Sequence, residues 1–230
     1  MNRYKHYSFD LWLTLIKSNP DFKQERARIF HARYNPRNKS FAEVVTIFRN
    51  VDLMCNSINE RTGKNIDADE MYLMVISILN DYHPGFAAVD TEALYMEMEE
   101  LLFNYMPQIY CGNTAGILHT LKENASTVSL LSNTGFIRGG TLRKVLTALE
   151  LDQYLDFQLY SDEVRLSKPN TEFFRLMLDE VNRGRQHNEL ELHEIVHVGD
   201  NPVADIHGAS LLGIHSILIN SNHQTITCLQ

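Results

Sequence analysis

Acidic, basic, hydroxyl and amide side chains follow short apolar runs at four separated places in this sequence. The six residues are Asp10, Ser132, Asn133, Lys168, Asp200 and Asp205. Apolar runs of this length are typical of buried strands, and the ends of parallel strands meet at one edge of a sheet. We therefore predict that these six side chains converge on a single site.

The chemistry that suits this set is the transfer of a group that carries negative charge. A carboxylate does not approach a phosphate unaided, because both are anionic. A magnesium ion held by Asp10 and Asp200 would screen the repulsion and polarise the phosphoryl oxygen. Lys168 would neutralise further charge, and Ser132 would donate a hydrogen bond to an oxygen. Asp10 would then be free to attack and form an acyl-phosphate.

Strands and helices are predicted to alternate around these residues. Helical spacing is clear at Leu142, Val145, Leu146 and Leu149, which fall at i, i+3, i+4 and i+7. Strands that alternate with helices predict an α/β fold, in which helices cover both faces of a parallel sheet to give three layers. The predicted strands are residues 7–11, 127–131, 157–160, 194–198 and 215–219.

A long stretch between the first two predicted strands has helical patterns instead. Ser40 with Glu43 forms a capping box that starts one helix, and Gly63 is placed to end it. Pro84 and Gly85 interrupt a second helical stripe. We predict an all-helical cap domain above the carboxyl ends of the strands, where α/β folds bind ligands. The predicted boundaries are 18–106 for the cap domain, and 1–17 with 107–230 for the α/β core domain.

Four motifs match those of the haloacid dehalogenase-like superfamily in order, spacing and strand context. They are Phe9-Asp10-Leu11-Trp12-Leu13-Thr14, Leu131-Ser132-Asn133-Thr134-Gly135, Leu166-Ser167-Lys168-Pro169-Asn170 and Val198-Gly199-Asp200-Asn201-Pro202-Val203-Ala204-Asp205. The resemblance covers about residues 5–16 and 110–222. It implies a Rossmann-like core, a helical cap inserted after the first motif, and a covalent intermediate on the first aspartate.

The resemblance also implies roles for the matching residues. Asp10 becomes the nucleophile, Ser132 the hydroxyl that binds the phosphate, and Lys168 the stabilising cation. Asp205 either supports the metal ligands from behind or binds the ion through water. The implied sets are Asp10, Ser132 and Lys168 for catalysis, Ser132, Asn133 and Lys168 for substrate binding, and Asp10, Trp12, Asp200 and Asp205 for Mg²⁺.

Trp12 is the one departure from the family pattern. Phosphatases of this superfamily carry a second aspartate two residues after the nucleophile, and an indole cannot take or give the proton in its place. Losing a general acid typically lowers the rate on the order of 100- to 10,000-fold. The backbone carbonyl of Trp12 could still bind the metal. If another group supplies the proton, a cap residue such as His83 or a bound water is the candidate.

Three functions remain open on the sequence. The first is a magnesium-dependent phosphatase or phosphotransferase acting on a small phosphorylated metabolite. The second is a metal-independent, dehalogenase-like hydrolase, because haloacid dehalogenases carry an aromatic residue at the position of Trp12. The third is a pseudo-enzyme that binds a phosphorylated ligand or a protein partner. The fourth motif, from Gly199 to Asp205, has the metal-binding form, which favours the first function.

The composition of the chain indicates which binding partners and which cellular compartment to expect. The chain of 230 residues is 44% hydrophobic, enough for a sizeable core, and its net charge is −8 without any basic run, which argues against nucleic-acid binding. Three scattered cysteines and the lack of a membrane-length apolar segment or a signal peptide predict a cytosolic protein without a membrane partner. We expect a monomer or a homodimer. The late histidines, read as structural because they fit no zinc spacing, are His193, His197, His207 and His215.

Overall fold

A parallel sheet of five strands lies at the centre of the protein. The computed structural model describes residues 4–83, 89–183, 185 and 188–229. The strands are, in chain order, β1 (His6–Phe9), β2 (Ile16–Lys17), β3 (Gln108–Ile109), β4 (Thr127–Ser132), β5 (Phe157–Tyr160), β6 (Ile195–Gly199) and β7 (His215–Leu218). The large sheet has the order β5-β4-β1-β6-β7, and all its neighbouring strands are parallel. The five predicted strands are confirmed, with β1 in the centre.

Helices cover both faces of this sheet. The α-helices of the described residues are α1 (Pro20–Arg33), α2 (Phe41–Thr62), α3 (Ala68–Leu79), α4 (Thr91–Asn104), α5 (Thr114–Glu123), α6 (Gly139–Ala148), α7 (Ser161–Val164), α8 (Thr171–Asn182) and α9 (Gly208–Ser210). The helices that cover the sheet come from the part of the chain after β3. Val196 and Val198 of β6 belong to the apolar cluster that includes α5 and α6, whereas Ile195 packs with α8 and α9. A strand buried on both sides needs apolar residues at consecutive positions, which explains the continuous apolar runs. The predicted Rossmann-like α/β fold is confirmed.

The described residues between β2 and β3 form four helices joined by loops, as the helical patterns in the sequence predict. Helices α1 to α4 pack against one another around their own apolar cluster. The capping box at α2 is present, because the Ser40 N–H donates to Glu43 Oε2 at 2.7 Å and the Glu43 N–H donates to Ser40 Oγ at 3.3 Å. The break predicted at Pro84 and Gly85 lies outside the described residues. The division at 18–106 into cap and core stays a prediction.

The carboxyl end of α2 touches the loop that carries Lys168. Gly63 ends α2 in a left-handed conformation, with φ of +65°. Its carbonyl oxygen accepts hydrogen bonds from the Ser167 N–H at 3.1 Å and from Asn170 Nδ2 at 3.0 Å. A Cβ at position 63 would come within 2.8 Å of the Asn170 side chain, so glycine is required by both conformation and space. The helical insert is thereby fixed next to one of the predicted site loops.

The short strands β2 and β3 form a separate antiparallel pair. Ile16 lies opposite Ile109, and Lys17 lies opposite Gln108. This pair joins the two points at which the chain leaves and returns to the α/β part. Within the part of the chain that the structure describes, no helix combines the length and the apolar character that crossing a bilayer requires.

Candidate active site

Three carboxylates meet at the carboxyl edge of the sheet. Asp10 follows the central strand β1, Asp200 follows its neighbour β6, and Asp205 lies in a π-helical turn at Pro202–His207. One oxygen from each of the three lies within 4.8 Å of the others. The predicted convergence of these side chains is therefore present, and it follows from the parallel pairing of β1 with β6.

The π-helical turn aims Asp205 back toward the strand ends. Asn201 caps this turn, with its Oδ1 accepting from the Val203 N–H at 2.8 Å and the Ala204 N–H at 3.1 Å. Asp205 Oδ2 in return accepts from the Asn201 N–H at 2.9 Å. A Cβ on Gly199 would lie within 2.2 Å of the Asp205 carboxylate, so the close approach depends on glycine at that position.

Lys168 places its ammonium group between two of the carboxylates. Its Nζ donates to Asp10 Oδ1 at 2.8 Å and to Asp205 Oδ1 at 2.7 Å, and the side chain is only 1% exposed. The Asn133 side chain fixes the backbone at this point. It accepts from the Lys168 N–H at 2.7 Å and donates to the Lys168 carbonyl at 3.0 Å. Asn133 thus holds the lysine loop with both ends of its amide, and its predicted role in substrate binding stays a prediction.

Ser132 lies at the end of β4 and is completely buried. Its hydroxyl donates to the Asn133 carbonyl at 3.1 Å. The cavity beside Asp10 is lined by the residues that follow it, Asn133, Thr134 and Gly135, rather than by Ser132. The hydroxyl would have to rotate away from its present partner to reach a phosphate, so the role of Ser132 stays a prediction.

His197 supports Asp205 from the face of the sheet, a contact that the sequence did not reveal. Its Nε2 lies 3.1 Å from Asp205 Oδ1, and its Nδ1 lies 3.0 Å from Ser8 Oγ. Burial lowers the pKa of His197, so the ring is neutral, with the Nε2 proton donated to the carboxylate. The prediction of a structural histidine on a buried strand fits this position.

The charges at the site are only partly balanced. Burial raises the pKa of Asp10 to about 6, with Asp205 adding to the effect and Lys168 opposing it. Burial also raises the pKa of Asp200 to about 7, and the charges of Asp10 and Asp205 raise it further. Burial alone would raise the pKa of Asp205, but Lys168 and His197 hold it below its usual range. The excess negative charge therefore lies on Asp10 and Asp200.

This donor set fits a magnesium ion. Carboxylate oxygens are the ligands that hard divalent cations prefer. Burial is the main cause of the raised pKa values of Asp10 and Asp200, and a cation between them would stabilise both carboxylates in their charged form. Asp205 is less available, because Lys168 and His197 occupy its Oδ1 and the Asn201 N–H occupies its Oδ2. Indirect support fits Asp205 better than direct coordination, which is one of the two roles that the sequence left open.

A cavity of about 320 Å³ opens above these residues. Trp12 lines it from the turn after β1, beside Asp10, and is partly buried against the core. His83 is exposed after the end of α3 and is not among the lining residues, so the structure does not support it as a proton donor. The helical insert forms the opposite wall with Phe22, Lys23, Arg26, Arg49, Asp52, Asn56 and Glu60.

Comparison with known proteins identifies the family. The profile described as haloacid dehalogenase-like hydrolase matches residues 8–219. The chain therefore belongs to the haloacid dehalogenase-like hydrolases. It is 28% identical over 137 residues to the Rhythmically expressed gene 2 protein of Drosophila melanogaster, a match that covers 58% of this chain and 51% of that protein. The chain thus spans about half the length of this curated relative.

Solved structures share the fold at low sequence identity. A HAD-hydrolase from Bacillus subtilis, YfnB, solved with bound magnesium, has a TM-score of 0.71 and 16% identity, covering 97% of this chain and 92% of its own. A HAD phosphatase from Thermococcus onnurineus has a TM-score of 0.64 and 20% identity, and the match covers 96% of this chain and 88% of that one. L-2-haloacid dehalogenase from Xanthobacter autotrophicus, with chloropropionic acid covalently bound, has a TM-score of 0.61 and 17% identity. That match covers 94% of this chain and 77% of the dehalogenase. These neighbours therefore include phosphatases as well as dehalogenases.

Proposed function

We propose that this hydrolase is a magnesium-dependent phosphatase or phosphotransferase that uses Asp10 as its nucleophile and acts on a small phosphorylated metabolite. One observation carries the proposal: Asp10 and Asp200 lie together at the strand ends with more negative charge than Lys168 can balance. A bound cation accounts for that imbalance, because uncompensated buried charges are unfavourable without a ligand, and the cation would in turn attract an anionic substrate. The solved relative from Bacillus subtilis with bound magnesium supports the same ion here.

In this proposal Asp10 and Asp200 hold the ion, together with the backbone carbonyl of Trp12. Bound Mg²⁺ would screen the repulsion between the carboxylate and the phosphate and polarise the phosphoryl oxygens. Lys168, 2.8 Å from Asp10 Oδ1, opposes the effect of burial on the pKa of Asp10 and so favours the ionised nucleophile. Its ammonium would also interact with the developing charge on the phosphoryl group.

The reaction would run in two displacements. An oxygen of Asp10 forms a bond to phosphorus while the bond from phosphorus to the leaving oxygen breaks, which gives an aspartyl-phosphate and an alcoholate. Water then attacks the phosphorus of the aspartyl-phosphate, and phosphate departs as Asp10 is restored. Trp12 provides no proton for the first step and no base for the second. Leaving groups that depart as anions are therefore favoured.

A metal-independent dehalogenase is the second candidate, because Trp12 puts an aromatic ring beside the nucleophile and a haloacid dehalogenase is among the structural neighbours. Halide leaves without a proton, so such a reaction would not need the missing acid. Asp200 argues against it, because a second carboxylate facing Asp10 is explained by a cation and not by a haloacid substrate.

The test is a paired assay on the purified protein. Phosphate release from 4-nitrophenyl phosphate and acetyl phosphate is measured with Mg²⁺ and with a chelator, beside chloride release from 2-chloropropionate. We expect phosphate release that requires Mg²⁺ and disappears in Asp10→Asn. Chloride release that is insensitive to the chelator would establish the dehalogenase instead. No turnover of either kind, even in Trp12→Asp, would indicate a pseudo-enzyme.

A further inference from the structure

Arg26 of α1 is a buried cation in the wall of the cavity that faces Asp10. Its side chain is 7% exposed, and the same cavity is lined by both residues. The guanidinium carbon lies 4.2 Å from the ring centroid of Phe48 and 4.4 Å from that of Phe136. These two ring centroids are 5.5 Å apart, so the guanidinium sits in a corner formed by two aromatic walls. Such rings attract a cation but provide no acceptor for its N–H groups.

The guanidinium lacks the partners that a structural arginine normally has. Its Nε is buried without a hydrogen-bond partner. Burial lowers the pKa of Arg26, and the polar group that chiefly opposes this effect is the neutral hydroxyl of the neighbouring Tyr72 rather than a carboxylate. Asp52 is the acidic residue whose charge reaches Arg26, but its carboxylate pairs with Arg49 at 3.6 Å. No salt bridge joins Arg26 to a carboxylate among the described residues. A buried charge with unused donors is unfavourable unless a ligand completes it.

The surrounding wall adds to the positive charge. Lys23 and Arg49 line the same cavity on the side of the helical insert, so three cations face it there. Two carboxylates also line this wall, but Asp52 pairs with Arg49, and Glu60 Oε1 accepts from Asn201 Nδ2 at 2.8 Å. Arg49 and Asp52 largely compensate each other, and Glu60 keeps its charge because its partner is a neutral amide. The remaining excess of positive charge on this wall comes from Arg26 and Lys23, and it favours an anionic ligand group there. A ligand that spans the cavity would carry negative charge at both of its ends.

We propose that Arg26 binds a second anionic group of the substrate, a carboxylate or a further phosphate, at the end away from the transferred phosphoryl group. This inference rests on the proposed phosphatase function, which it deepens by naming the substrate class: phosphate monoesters with an additional oxyanion. The planar fork of an arginine matches the two oxygens of such a group, and the aromatic corner fixes the orientation of the fork.

The test measures how well three compounds compete with 4-nitrophenyl phosphate in the presence of Mg²⁺. Glycerol 3-phosphate has a neutral far end, 3-phosphoglycerate has a carboxylate there, and propane-1,3-diol bisphosphate has a second phosphate. We expect at least one of the two doubly anionic compounds to inhibit about 10- to 100-fold more tightly than glycerol 3-phosphate. The inhibition ratio is the inhibition constant of glycerol 3-phosphate divided by that of the doubly anionic compound. Arg26→Met should reduce this ratio to near one. The compound that shows the larger ratio identifies the second group.

The matched control is Arg28→Met, which removes an equal charge from the same helix at an exposed position outside the cavity. It should leave the ratio unchanged. A ratio near one in the natural protein, or the same loss in both variants, would overturn the proposal. If 4-nitrophenyl phosphate is not hydrolysed at all, the proposed function fails, and calorimetric affinities for the same three compounds still test the inference about Arg26.

Thermal stability separates ligand binding from a structural role. Methionine keeps an apolar stem between Phe48 and Phe136 and removes an unpaired buried charge, so the melting temperature of Arg26→Met should be equal to or above that of the natural protein. A lowered melting temperature with an unchanged inhibition ratio would mean that Arg26 only holds the aromatic cluster together. Should Arg26→Met fail to fold, Arg26→Gln is assayed in its place and judged by the same ratio.

Discussion

The Lys168 ammonium lies 2.8 Å from the Asp10 carboxylate, although 158 positions separate the two residues in the chain. Both side chains are buried, and Asp205 on the other side of the ammonium completes a row of opposite charges. Because each group is desolvated, the row is stable only as a unit, and the removal of one member leaves the others without compensation.

Replacing Lys168 with methionine should therefore destabilise the fold strongly. Two buried carboxylates would lose their shared cation, and breaking a buried pair in this way typically lowers the free energy of unfolding by about 3–5 kcal/mol. Urea denaturation measures the change. Lys144→Met is the control, since that lysine pairs with Glu99 on the surface, where its side chain is 62% exposed. Similar losses in the two variants would contradict the buried ion row.

Asp200 should make the metal-free protein less stable as the pH rises. Its pKa is raised by burial from the usual 3.8 to about 7, so between these values the folded state binds more protons than the unfolded state. The contribution of Asp200 to the free energy of unfolding then falls across that window as the pH increases. Melting temperatures of the natural protein and of Asp200→Asn are measured from pH 4 to pH 8 in chelator. The melting temperature of the natural protein should fall relative to that of Asp200→Asn as the pH rises.

The comparison between the two proteins is necessary because other buried groups titrate as well. Burial lowers the pKa of His6 to about 3, and this residue contributes in the opposite direction as the pH rises toward 6.5. His6 is present in both proteins, so its effect cancels in the difference. Melting curves that stay parallel over the whole range would show that Asp200 is not perturbed.

Gly199→Ala should impair the site by displacing Asp205. The added Cβ would lie 2.2 Å from the Asp205 carboxylate, and overpacking of this kind costs about 1–3 kcal/mol. Mg²⁺ affinity by calorimetry should weaken as well, because Asp205 holds Lys168 in place beside Asp10. Gly116→Ala is the control, since nothing lies within 4 Å of a Cβ there and alanine favours the interior of α5. Equal effects at the two positions would contradict the close approach.

Trp12 should divide substrates by the pKa of the leaving group. A nitrophenolate or an acyl group departs as an anion, whereas a simple alkoxide needs a proton that the indole cannot give. We expect weak activity with a burst of phenolate before a slow steady state, because hydrolysis of the aspartyl-phosphate lacks a base. Rapid-mixing assays on aryl and alkyl phosphates measure both features, and Trp12→Asp should accelerate the alkyl series more. Equal rates across the series without a burst would mean that another group in the cavity or a bound water supplies the proton.

Most of the fold could be predicted from the sequence, because its signals are local. The alternation of apolar runs determines the sheet, and Ser40 and Gly63 mark the ends of α2 through contacts within a few residues. The meeting of Asp10 with Asp200 follows from parallel strands alone, which place their carboxyl ends together.

The remaining contacts depend on distant partners that no local pattern specifies. Asn133 holds the backbone of Lys168 across 35 positions, and His197 reaches Asp205 only because a π-helical turn points that carboxylate back at the sheet. Arg26 occupies a helix position where a charged residue normally indicates a solvated face. The spacing of Phe22 and Phe30, four residues before and after it, was a signal that Arg26 lies on the buried face of α1. The packing of Phe136, from the α/β part, against Phe48 of the insert shows what encloses it.

The antiparallel pairing of β2 with β3 means that the residues between them could be removed or replaced by protein engineering. Because Lys17 and Gln108 are direct neighbours across this ribbon, the two cut ends left by excising everything between them would already be adjacent. A tight two-residue turn would reconnect them without stretching the backbone. The ribbon is thus a point at which one helical insert could be exchanged for another. The new insert would have to replace the Gly63 carbonyl, which accepts from Ser167 and Asn170 on either side of Lys168.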